Sequence, residues 1–207
     1  MVLKLHILNS GNSIKKIQEK AIKASFNRAL KICKKLIDAN NIDIVFYHNP
    51  KFVMEETGIG GSTETTNLVR IPVDASRELD EEIIFLTICH ELHHAMRQRE
   101  FGFPKTLLDT VISEGLADQF EKEISAKKPI TYLDNVDRRI LEEGLEMLIE
   151  DGHKLEYDYY GLFFGNEKYP KYFGYTLGNL VVERVGEKPS EMVRKPSEEF
   201  IDYIKNR

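Results

Sequence analysis

Leu3, Leu5 and Ile7 alternate with polar neighbours between residues 2 and 8, the period of a strand with one buried face. The period then lengthens. From Asn12 or Ser13, either of which can cap a helix, to about Asp38, the residues Ile22, Phe26, Ala29, Leu30, Cys33, Leu36 and Ile37 recur three and four apart. That spacing predicts one long amphipathic helix. A turn at Ala39-Asn40-Asn41 leads into a second alternating run over 42–47, with Ile42, Ile44 and Phe46 inward. A strand–helix–strand opening favours neighbouring strands with the helix packed across them.

Residues 50–66 read as loop, with Gly58, Gly60 and Gly61 giving the backbone freedom, and a third strand is predicted from Asn67 to Val73. Pro72 cannot donate to a ladder, so this strand is expected at a sheet edge. Asp80, Glu81 and Glu82 make an acidic helix start, and Ile84, Ile88, Leu92 and Ala95 follow as its buried side. Gly102 and Pro104 supply a turn, a helix over about 105–127 stops before Pro129, and another over 135–150 buries Ile140, Leu141, Leu145, Leu148 and Ile149. Residues 151–175 are irregular and rich in tyrosine, phenylalanine and glycine. Helix resumes over 171–185, and a last short helix is expected over 190–204. With no repeat, low-complexity tract or linker, the prediction is one α+β domain over 1–207, strand-rich to about residue 75 and helical from about 76, with a small mixed sheet.

Composition narrows this picture without changing it. At 207 residues and 42% hydrophobic content the chain can bury a core. A net charge of −5, with Lys and Arg dispersed, gives no reason to expect a nucleic-acid partner. Cys33 and Cys89 lie inside apolar helical patterns, as buried thiols do, and form no disulfide framework. The first eight residues are too short and too alternating for a signal peptide, and no apolar run reaches the ~20 residues of a membrane span. The expectation is a cytoplasmic protein with no membrane partner.

The chemistry concentrates in Ile88–Arg97, I-C-H-E-L-H-H-A-M-R. His90-Glu91-x-x-His94 is the helical pattern in which two imidazoles share a zinc ion and the glutamate between them acts as base. At about 100° per residue, His94 lies about 40° round the helix from His90 and Glu91 about 100° to the same side. His93 falls about 60° to the other side and reads as a bystander or supporting residue, while Cys89 points about 100° away from His90 and is not expected as a ligand. Arg97 returns near the His90 direction, where it could pair with a carboxylate. His6 and His48 have no partner in motif spacing and read as structural or surface residues.

Catalytic zinc takes three protein ligands and keeps a fourth position open. The third candidate is Glu114, 20 residues beyond His94 on the following helix. Asp118, one turn later on the same face, could accept the second N–H of a ligating histidine. The small Gly115 and Ala117 would let the two helices approach.

H-E-x-x-H with a glutamate 20 residues on and an aspartate four later resembles the gluzincin arrangement of zinc metallopeptidases. More closely, His90–Arg97, Thr106–Asp118 and the run from Phe163-Phe-Gly through Tyr169–Gly178 resemble the YjaZ-type predicted zinc-dependent proteases, a bacterial and archaeal family, across roughly residues 60–185. The resemblance implies a zincin-like fold and one Zn2+ per chain on His90, His94 and Glu114, with Glu91 as general base and a peptide or protein as substrate. By the same analogy residues 67–71 would line the cleft, the peptide adding as a strand. Such chemistry needs a donor opposite the glutamate. Tyr175, in the family-like Gly-Tyr-Thr-Leu-Gly run, is the candidate, with His153 and Tyr172 behind it. Two rivals stay open at this point: a catalytically inactive zinc-binding scaffold or regulatory domain of the same fold, and a coincidental HELHH on a metal-free helix. Three N/O ligands with an intact glutamate favour the enzyme, since structural zinc sites close with four ligands, mostly cysteine.

Overall fold

A computed structural model describes residues 2–205, and the chain divides between Arg99 and Glu100 into two compact units. The first holds β1 (Leu3–Leu8), α1 (Lys16–Leu36), β2 (Ile42–His48), β3 (Ser62–Thr65) and β4 (Leu68–Val73). It also holds nearly all of α2 (Glu81–Phe101). The strands form one mixed sheet in the order β1-β2-β4-β3, with β1, β2 and β4 parallel and β3 antiparallel to β4. Register pairs Ile44 with Val69 and Phe46 with Ile71, so the inward rows of the two central strands coincide, and all four side chains are buried. As the strand–helix–strand pattern predicts, β1 and β2 are neighbours.

α1 begins later than its sequence cap suggested. The Asn9 side chain accepts from the Ile14 amide at 2.9 Å and donates to the Ile14 carbonyl at 2.7 Å. Residues 9–14 are thereby held as a loop, and neither Asn12 nor Ser13 caps the helix. Gln18 instead reaches back to accept from the Lys15 amide at 2.8 Å. Along its length α1 is tied to α2: Ser25 Oγ donates to the Glu81 carbonyl at 2.7 Å, Arg28 pairs with Glu82, and its guanidinium lies 3.7 Å above the Phe85 ring. Asp80 caps α2 by accepting from the Glu82 amide at 2.7 Å.

The strand carrying Pro72 is not at the edge. β4 lies between β2 and β3, and the segment read as loop contributes β3. Proline is tolerated there because the β3 ladder ends with Ser62 opposite Arg70. Beyond it Gly60 donates to the Pro72 carbonyl at 3.0 Å, and the return bond that Pro72 lacks falls past the end of β3. Residues 67–71 are therefore shielded on that side by β3 and offer no open edge to a peptide.

The second unit is helical: α3 (Leu107–Ser125), α4 (Arg138–Asp151), α5 (Tyr159–Phe164), α6 (Phe173–Val185), α7 (Pro189–Met192), a 3-10 turn (Ser197–Phe200) and α8 (Ile201–Lys205). Val111, Ile112, Leu116, Leu148, Phe173 and Leu177 are among its buried core. Thr106 and Asp109 make a reciprocal cap at the head of α3. Partial burial opposes ionisation of Asp109, but bonds from Ser197, Thr106 and the Lys105 amide outweigh it and hold its carboxyl below the usual value.

The aromatic stretch is less irregular than its composition suggests, since Asp158 accepts from the Gly161 amide at 2.8 Å and caps α5. The single helix expected over 190–204 is broken into three short pieces, because Pro196 has no amide to donate and disfavours helical geometry at Lys195. No helix among the described residues is long and apolar enough to cross a membrane.

The closest helix crossing of this unit is α3 on α6. A Cβ on Gly115 would overlap the Gly178 carbonyl and stand 2.6 Å from its Cα, and one on Gly178 would stand 2.9 Å from the Gly115 Cα. The expected role of Gly115 thus changes: its bare face meets α6.

Candidate metal centre

His90, Glu91 and His94 occupy the middle of α2, all helical and without a break. One turn apart, the two imidazoles converge: their Nε2 atoms are 3.0 Å apart, with the rings edge-on at 74°. Two nitrogens bound to one tetrahedral zinc at about 2.0–2.1 Å would be about 3.4 Å apart, so a few tenths of an ångström separate this arrangement from a ligating pair. His93 is wholly buried, and Arg97 is buried as well.

Glu91 is 6% exposed, an unusual state for a carboxylate. It is held from the sheet. Thr63 Oγ1, on β3, lies 2.7 Å from Glu91 Oε2 and 2.9 Å from the Glu91 backbone carbonyl. Beside it Gly61 passes so close that an added Cβ would stand 2.8 Å from both Cγ and Cδ of Glu91. Sequence reading assigns Gly61 only backbone freedom and passes over Thr63, because it takes 50–66 for loop. A signal was present: Thr63 and Thr65 alternate with polar neighbours just before Thr66-Asn67 and the apolar run of β4, the pattern of a hairpin.

In the second unit, Glu114 is half-buried midway along α3. Tyr157, another residue the sequence reading did not single out, shares its electrostatic environment. Burial pushes the Tyr157 phenol above its ordinary range, the bond with Thr110 (2.6 Å between hydroxyl oxygens) opposes this, and the charges of Asp109 and Glu114 add to it. Tyr157 therefore keeps its proton throughout the neutral range.

Asp118 is 2% exposed and anchors a polar network. Its Oδ2 accepts from Thr131 Oγ1 at 2.5 Å and from Asn179 Nδ2 at 2.7 Å. Asn179 also donates to the Tyr175 carbonyl and accepts from Gln119, each at 2.9 Å. These bonds fix α3 against α6 and hold the backbone at Tyr175. The Tyr175 ring is half-buried, edge-on to Phe163 at 5.0 Å and to Tyr172 at 5.9 Å. Of the other two donor candidates, Tyr172 is buried and adopts a left-handed conformation at the head of α6, and His153 is exposed on the turn after α4.

His6 and His48 have structural bonds: His6 Nε2 lies 2.6 Å from Asp43 Oδ1, and His48 Nδ1 lies 3.1 Å from both the Val73 carbonyl and the Ala75 amide. Cys33 and Cys89 are buried thiols. Among the described residues, His, Glu and Asp side chains form groups that could bind a metal ion. The donors are imidazole nitrogen and carboxylate oxygen, a set that suits zinc.

No curated protein and no solved structure matches the chain. A family model does, over residues 21–202, and its description is a predicted Zn-dependent protease (DUF2268). A match over that length, covering α2 and α3 with every candidate metal and catalytic residue, places the chain in this family of predicted Zn-dependent proteases.

Proposed function

We propose that this protein is a zinc metallopeptidase of the gluzincin type, built on a zincin-like fold, that hydrolyses peptide bonds with a zinc ion on His90, His94 and Glu114. The observation that carries the reading is the pair of converging Nε2 atoms on α2, with the buried Glu91 carboxylate one residue along and engaged by the sheet. Further support comes from the donor types of these three residues and from the family match. Zinc bound there supplies Lewis acidity, drawing the pKa of water toward about 7 and polarising the scissile carbonyl.

The side chains do the rest. Glu91 accepts a proton from the attacking water and returns it to the leaving amine, so one carboxylate serves as base and then as acid. Its bond with Thr63 leaves Oε1 as the oxygen to receive that proton. Tyr175 is the proposed donor to the oxygen that gains charge as the carbonyl becomes tetrahedral. Asp118, bonded on Oδ2, orients the α3 side of the site.

The test is digestion of unstructured peptides by the zinc-loaded protein, with new termini read by mass spectrometry. Cleavage should disappear on chelation and return with added zinc. Cleavage that survives full chelation, or a zinc-loaded protein that leaves every peptide intact, would contradict the proposal.

A further inference from the structure

We infer that Thr63 and Gly61 are positioning residues for Glu91: the edge strand β3 and the glycine just before it, rather than the metal helix alone, set where the catalytic carboxylate points. The inference rests on the proposed role of Glu91 and adds to it two residues outside the H-E-x-x-H motif.

Three observations carry it. First, Glu91 is 6% exposed, and a buried carboxylate without a donor is costly, so the side chain that satisfies it governs its position. Thr63 Oγ1 reaches Oε2 at 2.7 Å, the length of a charge-assisted O–H···O bond. Second, the same hydroxyl lies 2.9 Å from the Glu91 backbone carbonyl, so a single atom of β3 registers both the main chain and the carboxylate of this residue. A free glutamate has three torsions to distribute among staggered wells; contact at both ends of the side chain selects one combination. Third, the space that the carboxylate occupies depends on Gly61 having no side chain. Gly61 is exposed, yet a Cβ there would stand 2.8 Å from Glu91 Cγ and Cδ, so any other residue would drive the carboxylate from its place.

The strand is suited to this task. β3 is antiparallel to β4 with Thr63 opposite Val69, and a register shift between Thr63 and Thr65 ends the regular pairing just beyond the contact. Such irregularities re-aim side chains next to functional sites. Thr63 is β-branched and stiff at χ1, which holds its hydroxyl on the Glu91 side.

The test compares Thr63→Val, which keeps the shape and removes the hydroxyl, with Thr63→Ser, which keeps the hydroxyl. In the zinc-loaded enzyme, T63V should lower kcat about 10- to 100-fold with KM and zinc content within about twofold of wild type, and T63S should recover most of that loss. A T63V enzyme with wild-type kcat would overturn the inference, as would a T63S enzyme as slow as T63V with its fold intact. Crystal structures of the same proteins give a readout independent of turnover: the Glu91 carboxylate should hold its place in T63S and leave it in T63V and in Gly61→Ala. An unmoved carboxylate in T63V and G61A would refute the placement even in an active enzyme. A carboxylate that moves as expected in a protein without peptidase activity would uphold the placement while the proposed function fails, so the two failures are distinguishable.

Discussion

Glu91→Gln should bind zinc at the wild-type level and lose about a thousandfold in kcat, the middle of the range for a general base. The substitution is nearly isosteric, and an amide oxygen can still accept from the Thr63 hydroxyl, so the local fold has no reason to change. What it removes is the capacity to take a proton from water and hand it on. The expected pattern is therefore a fall in kcat with little change in KM, which separates lost chemistry from lost binding. Zinc content would be measured on the same preparation. A Glu91→Gln protein that cleaves peptides at the wild-type rate would remove Glu91 from the mechanism.

The second large effect concerns stability. Gly178→Ala should destabilise the protein by about 2–4 kcal/mol, because the added methyl meets backbone rather than the movable end of a side chain. It would overlap the Val111 carbonyl and stand 2.9 Å from the Gly115 Cα and amide nitrogen. Alanine's better helix propensity, about 1 kcal/mol, offsets only part of the overlap. Gly11→Ala is the control: the nearest atom to its added Cβ is Ser13 Oγ at 3.7 Å, so its effect should stay within about 0.5 kcal/mol. Urea denaturation of the three proteins decides the matter, and a G178A midpoint equal to wild type would show that the crossing is looser than described. Gly115 facing α6 also fixes the roll of α3 and with it the direction of the adjacent Glu114.

Much of this molecule was legible from residue patterns. Strong periodicity located β1, α1, β2 and α4, since burial of one face imposes a period that survives in the sequence, whereas α2 and α3, buried nearly all round, were legible through the acidic start at 80–82, the H-E-x-x-H spacing and the breaks at Gly102, Pro104 and Pro129. The H-E-x-x-H spacing is likewise a consequence of helical geometry, and the convergence of His90 and His94 follows from four residues making about one turn. Less legible was anything decided by a partner distant in sequence. Pro72 correctly signals a missing ladder bond, but the gap is tolerated inside the sheet because β3 ends at Ser62, two residues before the Gly60 that Pro72 faces, and only the register shows that. The start of α1 was misread because Asn9 ties down Ile14 from five residues away.

β3 itself is short and polar, with every side chain exposed or half-exposed, so it carries no hydrophobic signal. Thr63 shared that obscurity. Gly115 is a close-approach residue, but its bare face meets α6 and not the metal helix that the sequence suggested, because spacing alone does not say which helix a small residue faces.

The most direct measurement is the metal content of the purified protein beside its Glu114→Ala variant. If zinc is held by His90, His94 and Glu114, the wild-type protein should carry about one zinc per chain, and the variant, left with two imidazoles, should lose it. Full retention by the variant would assign the third ligand elsewhere. A wild-type protein that takes up no zinc when the ion is supplied would contradict the metallopeptidase reading outright.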